Sequence, residues 1–350
     1  MPAFAALHER EDVRFALVGG DVRHGGGGTA GGELPFPAIH VAQRDVLRLA
    51  ASAEHRAVMA GISGRVALPA AHLGARRAGV PFVLWATLWA HPRTAAHALS
   101  YLPLRRIYRD ADAIATYGPH VSAYVRSQGA RNPIFEAPQA VDPEFWGQSA
   151  NAPTRLSPYQ ALFVGRKTGE KGLAALTSAW RASGLRAPAA ALVLVGGGRF
   201  RAPSSATGAV HSLGSKSPDE VRNFYAGSDV VVVPSVATRD FLEPWGLVVN
   251  EAFHQGKPVI ATSAVGAVAG GLLRHERNGL VVPPGDPEAL GAALRRLHDD
   301  PALRARLGEA ARDDVRPYTP AAWAEGVARA LAGAGVSRSL PMTPTEAPLP

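Results

Sequence analysis

The sequence predicts an α/β protein built from two Rossmann-like domains, and three observations support this prediction. First, the chain has 350 residues, of which 47% are hydrophobic and 19% are charged, so it can form two cores. Second, continuous apolar runs alternate with helical patterns in two successive series, which is typical of parallel sheets covered by helices on both faces. Third, residues 143–158, a proline-containing segment without apolar periodicity, separate the two series.

The first series begins with a predicted helix over residues 1–12 and continues with alternating strands and helices. Six short apolar runs are predicted strands: 13–19, 37–41, 57–62, 81–86, 112–116 and 132–137. Helices are predicted between them, near 43–56, 64–79, 94–109 and 118–128. We therefore assign residues 1–148 to a first domain.

The second series is more regular. Its predicted strands are 161–165, 191–195, 209–214, 229–234, 258–262 and 279–284. Its predicted helices are 169–183, 219–227 with Pro218 in the first turn, 246–255 and 287–298. Residues 149–318 are thus predicted to form a second domain. A helix over 319–333 and a disordered tail over 334–350, rich in Ser, Pro and Thr, are predicted to follow it.

The composition favours some partners and excludes several kinds of site. With 37 Lys and Arg against 29 Asp and Glu, the net charge of +8 suits an anionic partner. Nucleic acid is disfavoured, because aromatic residues do not interleave with a basic stripe. The sequence contains no cysteine, which excludes disulfides, thiolate metal sites and cysteine nucleophiles. The longest apolar run, 79–90, is too short to cross a bilayer and the N-terminus lacks a signal-peptide pattern, so we expect a cytoplasmic protein.

The most informative stretch is RDFLEPWGLVVNEAFHQGKPVIAT, residues 239–262. It contains Glu243 and Glu251, with seven residues between them, and a helix predicted to start near Gly246. The N-terminus of a helix presents free N–H groups and a positive dipole end, which favours an anion. A diphosphate there would leave one carboxylate for a sugar and the other for ribose hydroxyls. For an isolated pair of glutamates, a loop cap and a solvated helical side chain would be the simpler interpretation.

Two further segments place functional groups at the carboxyl ends of predicted strands, where parallel α/β sheets bind ligands. LFVGRKTGEKG, residues 162–172, carries Arg166 and Lys171 after a strand that ends at Gly165. Two cations at this point can neutralise a departing diphosphate. LVLVGGGRFR, residues 192–201, adds a glycine turn after the next strand, although such a turn is a weak signal by itself.

Together these segments resemble the nucleotide-sugar domain of retaining glycosyltransferases of the GT-B fold, in particular family four, the glycosyl transferases group 1. The motifs FVGR, EKG, LVGGG, SLG, DVVVVPS, EPWGLVVNEA, GKPVIAT and NGLVVPPGD occur in the family's order between residues 161 and 331. The resemblance implies two domains that face a central cleft, a nucleoside diphosphate sugar as donor, and no metal or other cofactor. It also implies that the last helix crosses back to the first domain.

The resemblance implies a role for each matching residue. Arg166 and Lys171 would bind the donor diphosphate. Glu243 would contact the hydroxyls of the transferred sugar, and Glu251 would contact the ribose. Further donor contacts would come from Gly165, from the backbone amides of Gly246, Leu247 and Val248, and from Leu213 and Gly214 beside the base.

The first half departs from the family pattern. The N-terminal helix and VRFALVGG correspond to the helix and strand that follow the family's first, central strand, so that strand is predicted to be missing. If Met1 lies downstream of the true initiation point, the first domain should have a gap in its sheet or a poorly packed central position, and an exposed apolar face near Phe15 and Leu17. The glycine-rich segment 24–32 leads into an extended run, and we interpret it as a mobile loop rather than a phosphate cradle.

Acceptor-side residues are expected in the loop after strand 81–86, where His91 is the strongest candidate. Other candidates on this side are Thr87, Trp89, Arg93, Tyr117 and His120, whereas Gln139 and Ala140 replace the family's usual Asn-Gly. Asp110 and Asp112 match the Asp-x-Asp pattern of metal-dependent transferases. Because they precede a strand rather than follow one, a polar strand entry is the better interpretation.

A basic helix offers a different kind of surface. Its residues are Arg105, Arg106 and Arg109, beside Leu102, Leu104 and Ile107. This pattern predicts a solvated helix face. The alternative is that the arginines form a basic edge that makes peripheral contact with an anionic membrane.

These observations predict a retaining, metal-independent glycosyltransferase that moves a sugar from a nucleotide donor to a hydroxyl acceptor, such as a glycan, a lipid-linked or a small-molecule acceptor. The first alternative is a catalytically inactive binding scaffold of the same fold, suggested by the missing strand. A second is a sugar-nucleotide epimerase or a phosphorylase of this fold. The donor base, the sugar, the acceptor and the oligomeric state stay open.

Overall fold

The protein is an α/β molecule with three parallel sheets in two domains. A computed structural model describes residues 2–18, 34–62, 66–200 and 209–337, apart from the side chains of residues 95–97. The predicted glycine-rich loop 24–32 lies outside these residues. Every predicted strand is present, and its bounds agree with the prediction within about two residues. The predicted fold class is confirmed.

The first domain begins with a helix and continues with six short strands. Its elements are α1 (Pro2–Glu11), β1 (Phe15–Val18), β2 (Ala38–Val41), α2 (Val46–Ala50), β3 (Val58–Gly61), α3 (Ala67–Ala78), β4 (Phe82–Ala86), α4 (Ala95–Asp110), β5 (Ala113–Thr116), α5 (Pro119–Ser127) and β6 (Ile134–Glu136). The helix predicted over 43–56 is shorter: a single 3-10 turn, Gln43–Asp45, leads into α2.

The sheet of the first domain is divided, as predicted for a domain without its central strand. Strands β1 and β2 pair only with each other among the described residues, and a second sheet has the order β3-β4-β5-β6. The two sheets share one apolar core, in which Phe15 stacks on Phe4 at 5.0 Å between ring centroids. Exposed apolar side chains lie where they were predicted, near Phe15 and Leu17: these two residues are half-buried, and the exposed ones are Val18 (39% exposed) and Ile39 (53%).

The second domain contains a continuous six-stranded parallel sheet with the order β12-β11-β10-β7-β8-β9. A short helix, α6 (Pro143–Gly147), precedes it at the boundary of the two domains. The elements of the second domain are β7 (Tyr159–Val164), α7 (Leu173–Ala182), β8 (Ala190–Val195), β9 (Val210–Ser212), α8 (Pro218–Gly227), β10 (Val230–Val233), α9 (Val248–His254), β11 (Val259–Thr262), α10 (Gly266–Ala269), β12 (Gly279–Val282), α11 (Pro287–Asp299) and α12 (Pro301–Asp314). Helices cover both faces, so β8 and β10 are buried along their whole length.

Two predicted helices begin later than expected. The helix predicted over 169–183 is interrupted: a 3-10 turn, Gly169–Lys171, ends at Gly172, and α7 starts after it. Gly172 has a left-handed φ of +69°, and a Cβ there would lie 1.8 Å from the carbonyl oxygen of Pro234. The helix predicted to start near Gly246 starts at Val248 instead, because Gly246 has a φ of +91° and cannot belong to a right-handed helix.

The last helix, α13 (Pro320–Gly333), leaves the second domain and packs on the first. It contacts α1, β5 and β6, and its Trp323 belongs to the core that Phe15 joins. Gly326 permits this approach, because a Cβ there would lie 2.2 Å from the carbonyl oxygen of Glu136. Of the predicted tail, residues 338–350 lie outside the described residues, whereas Ala334 and Val336 pack against the same core.

Candidate functional site

A lysine and a glutamate meet at the carboxyl edge of the second domain's sheet. Lys171 Nζ donates a hydrogen bond to Glu243 Oε2, and Ser235 Oγ donates to the same oxygen at 3.0 Å. Glu243 is only 7% exposed, so its carboxylate is shielded from most water. The ring of Phe241 lies 5.4 Å from Lys171 Nζ and covers another side of the ammonium group. The site is therefore a charge pair between a half-buried lysine and a buried glutamate, whose acceptor oxygen already has two donors.

The sheet topology explains why these residues meet. Strands β7 and β10 are neighbours, so the segments that follow them emerge side by side. Lys171 lies in the 3-10 turn after β7, and Ser235 follows β10 after Pro234. The close approach of Gly172 to the Pro234 carbonyl joins the two segments. The sequence pointed to Lys171 and Glu243 but not to Ser235, although a serine just after a central buried strand was an available signal.

Arg166 and Lys167 follow β7 but lie in different surroundings. Arg166 is largely exposed, with a guanidinium nitrogen 3.6 Å from Glu170 Oε1. Lys167 is buried and donates to Ser212 Oγ at 2.9 Å and to the carbonyl oxygen of Leu213. Burial lowers the pKa of the Lys167 ammonium group. Lys167 was not among the predicted site residues, and it joins the Arg166 segment to the predicted base-binding segment.

The predicted base-binding residues lie at the end of β9. Leu213 N–H donates to the Leu194 carbonyl at 2.8 Å, and the Gly214 carbonyl accepts from Gly196 N–H at 3.1 Å. The first bond attaches the segment to β8, and the second attaches it to the glycine turn that follows β8.

Glu251 lies in the first turn of α9, close to Gly246, Leu247 and Val248 in the chain. The hydroxyl group of Tyr225 donates to Glu251 Oε2 at 2.6 Å. Burial raises the pKa of the Glu251 carboxyl group to about 7, and the hydrogen bond from Tyr225 only partly opposes this rise. The carboxyl group is thus poised to change charge near neutral pH.

Two residues of the first domain reach the segment that carries Glu243. Trp89 Nε1 donates to the Glu243 carbonyl at 3.0 Å, and His120 Nε2 donates to the Pro244 carbonyl at 3.2 Å. The ring of His91, in contrast, packs against Tyr101 with 4.9 Å between centroids. The acceptor role of His91 stays a prediction. Neither Trp89 nor His120 was predicted to contact Glu243 or Pro244, because such contacts depend on how the two domains are oriented.

The cleft between the domains also contains a cavity of about 470 Å³. Tyr117, Trp245 and Tyr318 contribute aromatic groups to its lining, and Arg274 and Asp314 contribute charged groups. Arg274 and Asp314 form an ion pair at 2.7 Å. Near this cavity, Asn250 Nδ2 donates to the Gln139 carbonyl at 3.0 Å, so the Gln-Ala segment contacts α9 through its backbone.

The Asp-x-Asp pair is used for structure. Asp112 Oδ2 accepts from the N–H of Phe82 at 2.8 Å at the start of β4. Asp110 forms ion pairs with Arg106 at 3.2 Å and Arg109 at 2.9 Å. Within residues 2–18, 34–62, 66–200 and 209–337, no group of three or more His, Asp or Glu side chains is arranged to hold a metal ion. None of the helices in these ranges combines the length and the apolarity needed to cross a membrane.

A family model matches part of the second half of the chain. Residues 146–314 match the family described as Glycosyl transferases group 1. This segment contains Arg166, Lys171, Glu243 and Glu251, so the residues brought together at the sheet edge belong to the matched region.

Curated relatives match about 40% to 58% of this chain. An uncharacterized glycosyltransferase of Methanocaldococcus jannaschii is 33% identical over 169 residues, which are 46% of this chain and 41% of the relative. The D-inositol 3-phosphate glycosyltransferase of Corynebacterium urealyticum is 36% identical over 140 residues, 40% of this chain and 30% of the relative. The lipopolysaccharide core biosynthesis glycosyltransferase LpsE of Rhizobium meliloti is 30% identical over 217 residues, 58% of each chain. The match spans less than two thirds of the length of each relative.

Solved structures extend the similarity to both domains. Anabaena Alr3699/HepE in complex with UDP aligns with a TM-score of 0.70 and 20% identity over 85% of this chain and 86% of its own. A trehalose-6-phosphate structure from E. coli bound with UDP-2-fluoro glucose aligns with a TM-score of 0.72 and 13% identity over 96% of both chains. At these identities the similarity shows the fold, and the predicted GT-B architecture is confirmed.

Proposed function

We propose that this chain is a glycosyltransferase that moves a sugar from a nucleoside diphosphate sugar to a hydroxyl acceptor in the cleft between its two domains. The observation that carries the proposal is the charge pair between Lys171 and Glu243, which lies at the carboxyl edge of the sheet within the family-matched segment. UDP or UDP-glucose is bound by the Anabaena protein of similar fold, which supports a nucleotide donor.

The charge pair suggests how donor binding and sugar contact are linked. A diphosphate that binds Lys171 competes with Glu243 for the ammonium group, because both are anions. Donor binding would then release Glu243 Oε2 toward the sugar hydroxyls, while Ser235 continues to hold the carboxylate. In this proposal the other donor contacts come from Gly165, Arg166, Leu213, Gly214, Gly246, Leu247, Val248 and Glu251, and His91 lies on the acceptor side.

The proposed reaction retains the configuration at the anomeric carbon and needs no protein nucleophile. The bond between the anomeric carbon and the donor phosphate oxygen breaks, and the acceptor oxygen bonds to the same face. The acceptor proton passes to the leaving phosphate oxygen. The chain supplies orientation and charge stabilisation, which can account for most of the acceleration. We also propose that the reaction uses neither a metal ion nor another cofactor.

The proposal is tested with a panel of UDP-, GDP- and ADP-sugars. Thermal shift first identifies the donor, because a ligand that binds only the folded state raises its stability. Glu243→Gln should then lower the transfer rate by about 10²- to 10³-fold, in the range for loss of one preorganised polar group. Lys171→Met should weaken the binding of the nucleoside diphosphate far more than the binding of the nucleoside.

The matched control is Glu220→Gln, since Lys216 and Glu220 form an exposed ion pair at 2.9 Å in the same domain. This variant should keep wild-type transfer and wild-type donor affinity. Unchanged transfer in Glu243→Gln would contradict the assignment. Binding of a nucleotide sugar without transfer or epimerisation by the wild type would favour the inactive scaffold, and an epimerised sugar would favour the epimerase.

Chelation and product analysis test the finer parts. Transfer should survive an excess of EDTA; loss of transfer that manganese restores would contradict metal independence. The anomeric configuration of the product, read from the proton coupling in NMR, should equal that of the donor. An inverted product would contradict the retaining mechanism.

We further propose that helix α4 makes peripheral contact with an anionic bilayer at the cytoplasmic face. Leu99 and Leu102 are 84% and 71% exposed, and basic side chains follow them on the same helix. Part of the predicted edge is wrong, because Leu104 and Ile107 are buried in the core of the first domain. Exposed leucines beside arginines are typical of helices that lie in a membrane interface.

Vesicle binding tests this contact. The chain should sediment with vesicles of anionic phosphatidylglycerol and not with vesicles of neutral phosphatidylcholine, and 1 M salt should weaken the binding. Leu99→Ser with Leu102→Ser should abolish sedimentation. The control is Leu73→Ser, an exposed leucine on α3. Equal binding of wild type and the double variant would contradict the proposal.

A further inference from the structure

The first domain donates hydrogen bonds to two consecutive carbonyl groups of the second domain. Trp89, in the loop after β4, donates to the Glu243 carbonyl, and His120, in the first turn of α5, donates to the Pro244 carbonyl. A third hydrogen bond runs between the backbones of the two domains, from the N–H of Arg93 to the carbonyl of Arg239. Arg93 lies four residues after Trp89, and Arg239 lies four residues before Glu243. The contacts thus converge on the segment that carries the Glu243 side chain.

The chemistry of the acceptors fixes the role of both rings. A carbonyl oxygen can only accept, so His120 Nε2 must carry a proton. Burial lowers the pKa of His120, which favours the neutral ring protonated on Nε2. Among the described residues its buried Nδ1 atom has no hydrogen-bond partner. His120 and the indole of Trp89 therefore act here as hydrogen-bond donors.

Close packing holds the two donors in place. The rings of Trp89 and His120 meet edge to face at 5.2 Å, and His120 lies 6.0 Å from the ring of Trp245. Gly270 makes room for this arrangement: a Cβ there would lie 2.5 Å from Trp245 Cζ3 and 3.1 Å from His120 Cε1. His120 cannot move far without displacing Trp245 of the other domain, and Trp89 packs on His120.

The same segment is also held from within its own domain. Gly266 N–H donates to the Glu243 carbonyl at 3.1 Å, and Ala267 N–H donates to the Trp245 carbonyl at 2.7 Å. A Cβ on Gly266 would lie 2.0 Å from the Pro244 carbonyl oxygen. The segment is therefore fixed on one side by the start of α10 and on the other by the first domain.

We propose that Trp89 and His120 are positioning residues that orient the Glu243 carboxylate when the first domain is seated on the second. The role at Glu243 rests on the proposed function, whereas the hydrogen bonds themselves do not. Loss of Trp89 leaves the Glu243 carbonyl with the Gly266 N–H as its donor, and loss of His120 removes the donor to the Pro244 carbonyl. Either loss removes a contact with the first domain and lets the backbone of residues 243–245 move more. The carboxylate then points less consistently toward the sugar, although the cations that bind the diphosphate are untouched.

Hydrogen exchange of the chain without added ligand tests the contact directly. Trp89→Phe and His120→Phe keep an aromatic ring and remove the donor. Each should accelerate exchange of the Gly266 and Ala267 amides about two- to tenfold, as expected for loss of one hydrogen bond. His120→Gln, whose amide can donate to Pro244, should restore slow exchange.

The control is Gln255→Ala, which removes hydrogen bonds from α9 to the carbonyls of Trp146 and Gln148 but does not touch residues 243–245. It should leave exchange at Gly266 and Ala267 unchanged, and all variants should show the unfolding temperature of the wild type within about 4 °C. Unchanged exchange in both Phe variants, or equal acceleration in Gln255→Ala, would overturn the proposal.

A kinetic measurement then tests the consequence for transfer. With a donor from the sugar-nucleotide panel, Trp89→Phe and His120→Phe should lower kcat about tenfold and leave the affinity for UDP, measured by calorimetry, within about twofold. His120→Gln should recover most of the kcat. A fall in UDP affinity as large as the fall in kcat would show a merely structural role. If the wild type transfers no sugar but exchange responds as expected, the proposed function fails and the hydrogen-bonded contact stands.

Discussion

The two domains use strands of similar length and similar apolar composition in sheets of different continuity. In the second domain six strands form one ladder, and the side chains of β8, β10 and β11 are buried throughout. In the first domain the ladder is divided, and every residue of β3 is half-buried, although β3 belongs to the same kind of parallel sheet. An apolar run is thus enough to form a strand, whereas the side chains of that strand are fully buried only when another strand pairs with each of its edges.

The same contrast separates the two halves of the site. Lys171 and Glu243 meet because β7 and β10 are adjacent in the continuous ladder. The first domain contributes Trp89 and His120 from the loop after β4 and from α5, which belong to its four-stranded sheet. Neither β1 nor β2 supplies any of these groups. The continuous sheet holds the charges, and the four-stranded sheet supplies groups that orient them.

The largest difference between the domains is expected in the loss of stability when alanine replaces two glycines that have the same backbone conformation. Gly172 in the second domain and Gly79 in the first have φ values of +69° and +68°. A Cβ on Gly172 would lie 1.8 Å from the Pro234 carbonyl oxygen, whereas nothing lies within 4 Å of one on Gly79. Gly79→Ala should cost about 1–2 kcal/mol of unfolding free energy from conformational strain alone. Gly172→Ala should cost more than about 4 kcal/mol, because the clash adds to the strain.

Urea unfolding monitored by circular dichroism measures both variants. Because Gly172 follows Lys171, Gly172→Ala should also weaken the binding of a nucleoside diphosphate. Gly79→Ala should leave this binding unchanged. Equal destabilisation by the two substitutions would show that the contact between β7 and β10 is looser than the structure indicates.

A smaller difference in stability is expected when a leucine is shortened to alanine in a strand of each domain's sheet. Leu192 in β8 is fully buried, whereas Leu17 in β1 is half-buried beside the division of the sheet. Leu192→Ala should cost about 2–5 kcal/mol, as for a buried leucine whose cavity cannot collapse. Leu17→Ala should cost about 1 kcal/mol, because water already reaches this position. The free energy of unfolding from urea titrations provides the measurement, and a cost at Leu17 as large as that at Leu192 would contradict the burial contrast.

The smallest contrast concerns the pH dependence of stability. Since the pKa of Glu251 is raised to about 7 in the folded chain from an ordinary value of 4.5, its stabilising contribution is complete below pH 4.5 and is lost as the pH rises through 7. Glu251→Gln cannot ionise. The unfolding temperature of Glu251→Gln minus that of the wild type should therefore be a few degrees larger at pH 8 than at pH 5.

Glu220→Gln provides the control of opposite sign. Hydrogen bonding by Lys216 and Ser217 lowers the pKa of the exposed Glu220, so its contribution is present above pH 4.5 and is lost as the pH falls. Thermal unfolding at pH 5 and pH 8 checks Glu251→Gln, and thermal unfolding at pH 5 and about pH 3 checks Glu220→Gln. An unchanged difference between Glu251→Gln and wild type from pH 5 to pH 8 would show that Glu251 is already charged at pH 5.

Much of the fold was predictable because apolar runs and turn residues are local signals. Helix α12 was missed, since its many charged residues leave a narrow apolar stripe, and α9 was placed too early because Gly246 looks like a helix start. Lys171 and Glu243 could be assigned to one site from strand order. The contacts of Trp89 and His120 could not, because they depend on the relative orientation of two domains that no sequence period encodes.

The divided sheet has a consequence for how the chain meets other molecules. One continuous open sheet exposes two strand edges, whereas the two sheets of the first domain expose four edges among the described residues: both sides of the β1-β2 pair and the outer sides of β3 and β6. An unpaired edge is a row of free N–H and C=O groups that can template pairing with a foreign strand. Strands β1 and β2 carry the exposed Val18 and Ile39 and no charged residue. Self-association at high concentration should therefore start at this pair, and a lysine in place of Ile39 should suppress it.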